Sequence, residues 1–334
     1  MTTRTVYWNG KFIPESEAKL SIYDSALMFG DMVFEMTRSF NKKQFMLREH
    51  LERLYRGLKV LHIPLAMSID EMEKACYDTI NANEHCFLQD DEHRLMIDIT
   101  RGTLGLYQEV LGTHKGTNVI IADFPLRWTV RGMGKLFDVG VNGFIPSQRQ
   151  IPASYLDPKI KNRSRIHYLM ANIQASQVQG ENNWAILLDD HGYLTEGTGA
   201  NLFILKNKIL FTPKPINILR GISRDYVINL LAPTLGLSVV EQDLEPYDMM
   251  MADEAFLTAT PFCIMPIVSL NGVQIGSGIA GKITIDLLNQ WSTNIQVDIV
   301  KQIQCWNKSE VSEINAPTPY QFKKNTNKAK EESS

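Results

Sequence analysis

No stretch of the 334-residue chain approaches the ~20 consecutive apolar residues that a helix needs to cross a bilayer, which excludes a helical membrane span. Cysteine is scarce as well. Cys76, Cys86, Cys263 and Cys305 lie far apart, with no C-x-x-C pair and no histidine at zinc-ligand spacing, so no metal site is expected and the thiols read as buried or idle groups of a reducing compartment. An excess of one charge is also missing. With 34 basic and 37 acidic residues the net charge is -3, too little to draw the protein to nucleic acid or an anionic membrane, and a small-molecule partner is expected. The start, Met1-Thr2-Thr3-Arg4, runs into Val6-Tyr7-Trp8-Asn9-Gly10 without the apolar core of a signal peptide, so the protein is expected to be cytoplasmic. Nor is there a phosphate loop of the G-x-x-x-x-G-K-[ST] type, a G-x-G-x-x-G following a strand, a G-x-S-x-G elbow or an H-E-x-x-H.

What remains is an ordinary globular composition, 44% hydrophobic and 21% charged, in a chain longer than one core usually organises. Two domains are therefore expected. The opening segment mixes aromatic and β-branched residues around Asn9-Gly10, a hairpin turn in which both positions tolerate positive φ. Leu47, Leu51, Leu54, Leu58 and Leu61 recur at steps of four and three until Pro64, the mark of an amphipathic helix. Ser68 and Glu71 have capping-box spacing for a second helix, and Leu95 to Thr100 and Asn118 to Phe124 read as strands. Pro125 to Gly134 has no period. We expect a small N-terminal α/β domain over residues 1–128, a connection at 129–136 and a larger domain over 137–300.

In the larger part, Phe137 to Phe144 is expected as a strand, followed by a helix ending near Gln179 and strands at Trp184 to Leu188 and Leu202 to Leu205. A helix from Arg224 to Leu235 and strands at Ala255 to Thr260 and Ile264 to Leu270 follow, with a second hairpin signal at Asn271-Gly272. This is a mixed α/β (α+β) fold, without the regular alternation of a doubly wound sheet. Residues 307–334, rich in Lys, Glu, Asn, Ser and Pro, read as a disordered tail.

Five short motifs carry a resemblance. Gly30-Asp31 with Phe34-Glu35, the run His50 to Leu54 (HLERL), Ile160-Lys161-Asn162, the run Leu194 to Phe203 (LTEGTGANLF) and the run Leu219 to Asp225 (LRGISRD) occur in the order found in class IV aminotransferases. The chain resembles that family over roughly residues 5 to 290. The resemblance implies a fold-type IV enzyme, a homodimer of subunits with two α/β domains and pyridoxal 5'-phosphate between them. Its members include branched-chain and D-amino acid aminotransferases, (R)-selective amine transaminases and 4-amino-4-deoxychorismate lyases.

The chemistry of that cofactor asks for particular residue types. An amine must act as nucleophile and then carry a proton, and of Lys159 and Lys161 the family's Ile-Lys step and the 35-residue separation from Glu196 favour Lys161 as the Schiff-base lysine. Glu196 matches the carboxylate that keeps the ring nitrogen protonated. Arg53 resembles the phosphate arginine, and Gly221-Ile222-Ser223 would offer backbone N–H groups and a hydroxyl ahead of a helix. Thr260 resembles a further phosphate contact, Leu219 the residue against the ring face, and Tyr168 a partner for the cofactor's O3'.

The substrate side is less uniform. Phe34, Arg94, Arg101, Arg163 and Arg165 are the candidates to meet a substrate. The Arg-x-His trap of D-amino acid enzymes is absent after Thr100-Arg101-Gly102, and Pro261 removes a backbone N–H that branched-chain enzymes use. Arg94 stands where the latter carry an arginine able to meet an acidic side chain. Arg163 and Arg165 next to Lys161 would suit an acidic substrate or pair with acidic groups at a dimer interface. We expect amino-group transfer between a branched-chain-like amino acid and a 2-oxo acid. The alternatives are a lyase acting on an aminated chorismate, a D-amino acid or amine transaminase, and a non-catalytic binding relative, the last disfavoured by the presence of Lys161, Glu196 and Arg53 together.

Overall fold

A computed structural model describes residues 3–111 and 116–306, so the expected tail at 307–334 lies outside the described residues. Two sheets organise the chain. The first is antiparallel, with strands in the order Lys11–Pro14, Thr5–Trp8, Asn118–Pro125, His93–Thr100 and Met32–Met36. Asn9 and Gly10, at φ 49° and 88°, make the first hairpin turn as their residue types dictate.

Strand alternation divides the faces of this sheet. Leu95, Ile97, Ile99 and Val33 enter a core closed by the helices Leu47–Val60 and Ile69–Asn83. From the first helix Leu47, Leu51, Leu54 and Leu58 all reach that core, as the four-and-three spacing requires. The second opens with the expected capping box, Ser68 Oγ accepting from the Glu71 N–H at 3.2 Å and Glu71 Oε2 from the Ser68 N–H at 2.7 Å. On the opposite face Phe34 lies across from Asp98, and Met36 across from Met96. That face looks toward the second sheet.

The second sheet has nine strands, mixed in direction, running Leu194–Gly197, Asn183–Leu188, Val141–Phe144, Cys263–Leu270, Glu254–Ala259, Asn201–Lys206, Ile209–Pro213 and Ser238–Gln242, with Val273–Gln274 beside Cys263–Leu270. Glu196 also pairs with Asn201, which closes the first six strands into a ring. The helices Lys282–Ile295 and Ile299–Trp306 bury Trp291, Ile303 and Trp306 in its core. The helix at 222–234 contains a wide turn, Val227–Leu231, just before Pro233, whose ring and missing N–H are incompatible with a regular α-turn.

Two local expectations need correction. Leu136–Val139 is a helical turn ended by Gly140 at φ 72°, so the strand expected at 137–144 begins only at Val141. The stretch expected as an aperiodic connection includes part of the short helix Arg127–Val130, and Val130, Met133 and Leu136, spaced by three, are buried in the larger core. Helical spacing was present there but too short to outweigh the Pro and Gly residues around it.

The helix Leu47–Val60 is held by packing more than by local signals, which a pair of variants separates. Leu51→Ala, at a fully buried position, is expected to destabilise by ~2–5 kcal/mol, and Ser68→Ala, on the neighbouring helix cap, by ~1 kcal/mol. Thermal unfolding followed by circular dichroism should give the larger drop in Tm for Leu51→Ala; an equal or larger drop for Ser68→Ala would overturn this account.

Candidate active site

Lys161 sits between the two sheets. Its carbonyl accepts the Phe34 N–H at 2.9 Å and Asn162 bridges Val33, so this segment covers the exposed edge of the strand Met32–Met36. The two candidate lysines part here. Lys159 reaches Asp157 at 2.7 Å and the Ile216 carbonyl at 3.2 Å, whereas the Lys161 amine lies 4.8 Å from the centre of the Phe34 ring. Withdrawal from water into the cleft, helped by the Arg53 and Arg165 cations, lowers the Lys161 amine to about 7, against the pull of Glu35 and Glu196.

Glu196 is buried on the strand that closes the larger sheet. Its Oε1 accepts the Tyr168 hydroxyl at 2.8 Å and Gln150 Nε2 at 3.2 Å, its Oε2 accepts Asn201 Nδ2 at 2.9 Å, and the Leu219 N–H lies 3.2 Å from both oxygens. Burial raises this carboxyl to about 7, while Tyr168, the Leu219 N–H, Arg165 and Lys161 restrain the rise. Tyr168 itself is pushed well above its usual range by burial and by Glu196.

A second buried group lies across the cleft. Arg53 grips Glu35 with two nitrogens, at 2.6 and 2.8 Å, and gives its third to the Arg220 carbonyl at 2.9 Å. His50 Nδ1 stands 2.7 Å from the same carboxylate. Burial alone would raise Glu35, yet Arg53 and His50 hold it well below the carboxylate range. The stretch 219–223 thus connects both clusters: Leu219 to Glu196, Arg220 to Arg53, and Gly221 against Asn201, whose Oδ1 would lie 2.1 Å from any Cβ placed there. Ser223, just inside the helix that follows, has a buried Oγ with no protein partner.

Four arginines flank the cleft toward Phe34 and Met36. Arg163 stacks 3.8 Å from the Phe34 ring centre and pairs with Asp98 at 2.9 Å. Arg165 gives its Nη2 to the Thr198 carbonyl at 2.7 Å and lies 4.8 Å from the Tyr168 ring centre. Arg38, fully buried, holds the Pro261 carbonyl at 3.0 Å, beside Thr260, and Gln302 at 2.8 Å. Arg94 is the exception. It is buried with Nε and Nη1 unpartnered and Nη2 3.7 Å from the Met36 sulfur, and burial plus the Arg38 and Arg163 cations lowers it to about 9.

A family model for class IV amino-transferases matches residues 32–270, which contain every residue of the cleft described above except Gln302. The chain belongs to the class IV aminotransferase family. It is 37% identical over 281 residues to a Methanocaldococcus jannaschii protein provisionally named a branched-chain-amino-acid aminotransferase, covering 84% of this chain and 92% of that one. The crystal structure of the Escherichia coli branched-chain amino acid aminotransferase superposes with a TM-score of 0.78 at 30% identity, covering 87% and 94% of the two chains. That of the T.th. branched-chain amino acid aminotransferase complexed with N-(5'-phosphopyridoxyl)-L-glutamate gives 0.76 at 27% identity, covering 88% and 95%.

Class IV aminotransferases work with pyridoxal 5'-phosphate, and this cleft has the donors for it. The free Ser223 hydroxyl and the side-chain-free Gly221 at a helix start form a cradle for a phosphate next to Arg53. Of the residues predicted from sequence, Arg53, Arg165 and Glu196 act on the Lys161 amine, Tyr168 and Leu219 join through Glu196, and Gly221, Ile222 and Ser223 continue the stretch that meets Arg53; Phe34 lies beside the amine with Arg163 and Arg165 over its ring, Arg94 stands beside Met36, and Thr260 precedes the Pro261 carbonyl held by Arg38. Arg101 is held elsewhere, pairing with Asp31 and donating to the Leu61 and His62 carbonyls at 2.7 and 2.8 Å beyond the end of the helix Leu47–Val60. Glu35 and Asn201 lay inside the quoted motifs without a role assigned, and Arg38, Asp98 and Gln150 carried no local signal.

The lowered Lys161 amine has a direct signature. In the cofactor-free protein its labelling by a small amine-reactive reagent, read by peptide mapping, should rise with pH around a midpoint near 7, because the neutral amine is the reactive form. A midpoint above 9 would contradict the electrostatic account.

Proposed function

We propose that the enzyme moves an amino group between an amino acid with a branched aliphatic side chain and an acidic 2-oxo acid, with Lys161 as the residue that holds the cofactor and shuttles the proton. Bound pyridoxal phosphate supplies the electron sink for the substrate's Cα. In this reading Glu196 keeps the ring nitrogen protonated, Leu219 backs the ring, and Arg53, Gly221, Ile222, Ser223 and Thr260 hold the phosphate. Tyr168 orients the ring through Glu196. A lysine of lowered basicity suits both tasks, since it is neutral often enough to attack and basic enough to take a proton at neutral pH.

The observation that carries the substrate assignment is Arg94. Two unpartnered, buried guanidinium nitrogens beside Met36 favour an approach able to take an apolar side chain in one half-reaction and a carboxylate in the other. The relatives named above support the same pairing, one of them bearing a phosphopyridoxyl-glutamate. Arg163, which by position could have favoured a lyase substrate, is neutralised by Asp98 of its own chain. No helix among the described residues is long and apolar enough to cross a membrane. A cytoplasmic homodimer, with a small domain over 1–128, a connection at 129–136 and a larger domain over 137–300, belongs to the same proposal. A single-chain mass by sedimentation would refute the dimer.

Bleaching of the bound cofactor's visible absorbance should follow addition of leucine, isoleucine, valine or glutamate, and 2-oxoglutarate should restore it. Arg94→Met should raise KM for 2-oxoglutarate about 10- to 100-fold while changing that for leucine far less. Release of pyruvate from aminodeoxychorismate without any acceptor, or equal losses for both substrates in Arg94→Met, would overturn the assignment.

A further inference from the structure

Gln150 lies outside every motif that marks the family, in the loop that leads to Lys161, and is buried. Its backbone N–H is fixed to the Leu188 carbonyl at 2.9 Å, at the end of the strand Asn183–Leu188 that neighbours Leu194–Gly197. The side chain is thereby aimed at the Glu196 carboxylate. Nε2 stands 3.0 Å from the Tyr168 oxygen and 3.2 Å from Glu196 Oε1, while the Tyr168 oxygen is 2.8 Å from the same Oε1. The three polar atoms form a closed triangle, and Gln150 Oε1 is left buried without a partner.

An amide nitrogen has two hydrogens and no acceptor capacity, which fixes the direction of every bond in the triangle. The two oxygens lie close together as seen from Nε2, so one Gln150 hydrogen points between them and is shared, and within the triangle the tyrosine proton can only point at Glu196. We propose that Gln150 is a positioning residue for the aminotransferase reaction: it forces Tyr168 to act as a donor to Glu196 and adds a second donor of its own, holding that carboxylate in its anionic form against burial. The inference rests on the reading of Glu196 as the ring-nitrogen partner. Glu196 faces Tyr168 from the helix Ile166–Gln177, Arg165 at the start of that helix, Lys161 from the preceding loop, Asn201 from the paired strand and the Leu219 N–H. Arg165 and Lys161 are the cations among these, and both are engaged elsewhere, Arg165 with Thr198 and Lys161 with the cofactor in the loaded enzyme. Burial raises the carboxyl, and the neutral donors Tyr168 and the Leu219 N–H oppose that rise ahead of Arg165 and Lys161.

The consequence has a definite sign. Removing a donor to the anion favours the neutral acid, so the pH below which Glu196 is protonated moves upward from a value already raised by burial. Gln150→Met keeps the length of the side chain without its donors. In the holoenzyme this variant should lower kcat about tenfold with little change in KM, and move the acid limb of the kcat profile up by about one pH unit. Two readouts do not depend on turnover. The 15N resonance of ring-labelled pyridoxal phosphate bound to Gln150→Met should move from the protonated toward the unprotonated position at pH 7. In cofactor-free protein the infrared band of a protonated buried carboxyl, identified by its loss in Glu196→Gln, should persist to higher pH. Gln150→Glu, which replaces a donor by an acceptor, should shift both further.

The outcomes separate the two layers of argument. If Glu196→Gln leaves the ring resonance at its protonated position, the ring-nitrogen reading fails and Gln150 has nothing to position. If Glu196→Gln moves the resonance but Gln150→Met alters neither the resonance, the carboxyl band nor the acid limb, and only lowers Tm, then Gln150 is a packing residue and the proposal is overturned.

Discussion

One hydrogen bond, from the Phe34 N–H to the Lys161 carbonyl, joins the two halves of the molecule where the chemistry is done. An edge strand must be covered, and here the cover is the loop that bears the lysine. Because side chains alternate along the strand, fixing the Lys161 backbone to Phe34 puts the Phe34 ring beneath the amine on one face and Glu35 against Arg53 on the other. A slip of one residue would send Glu35 into the cleft and Phe34 into the helix packing. The placement of the Lys161 amine and of the Glu35–Arg53 pair thus follows from one pairing register.

Charge in the cleft is organised around that register. Glu35 is locked as an anion by Arg53 and His50, Asp98 is taken by Arg163, and Glu196 is surrounded by neutral donors with Lys161 and Arg165 nearby. Each carboxylate has its own partner set, so the lysine feels two anions that are already committed and two cations that are close. Withdrawal from water then decides the balance and brings the amine down into the range where it can exchange protons at neutral pH. The stretch 219–223 links the two anionic centres, its Leu219 N–H meeting Glu196 and its Arg220 carbonyl meeting the Arg53 that grips Glu35.

The sequence made the helices and most strands legible because their apolar periods are long. Leu47 to Leu58 and the capping box at Ser68 mark their elements in the sequence, although the packing of the leucine face is what holds the first of them. The run Val130, Met133 and Leu136 is hard to read because three apolar residues at helical spacing are too few to compete with neighbouring Pro and Gly residues. In the site, Lys161, Glu196 and Arg53 could be picked out because they belong to contiguous motifs. Arg38, Asp98 and Gln150 could not. The first two are recruited by proximity across 223 and 65 positions of chain, and Gln150 by a single backbone bond to a strand end, and neither leaves a local trace. Arg101 shows the converse: a suggestive Thr-Arg-Gly context whose cation finishes a helix.

Arg38 also ties the site to the last described helix. Its guanidinium bonds Pro261 at the turn beside Thr260 and, through Nη2, Gln302 on the helix Ile299–Trp306. Synthesis runs from the N-terminus, so the sheet whose strand Met32–Met36 precedes Arg38 can form while most of the chain is still unmade. Until Gln302 leaves the ribosome the Nη2 of this buried cation lacks its partner, and the cation that holds the Pro261 turn is itself only partly anchored. The anchorage of the turn beside Thr260 is thereby tied to the helix Ile299–Trp306, far from it in sequence, so this corner of the cleft is shared between an early and a late segment of the described chain.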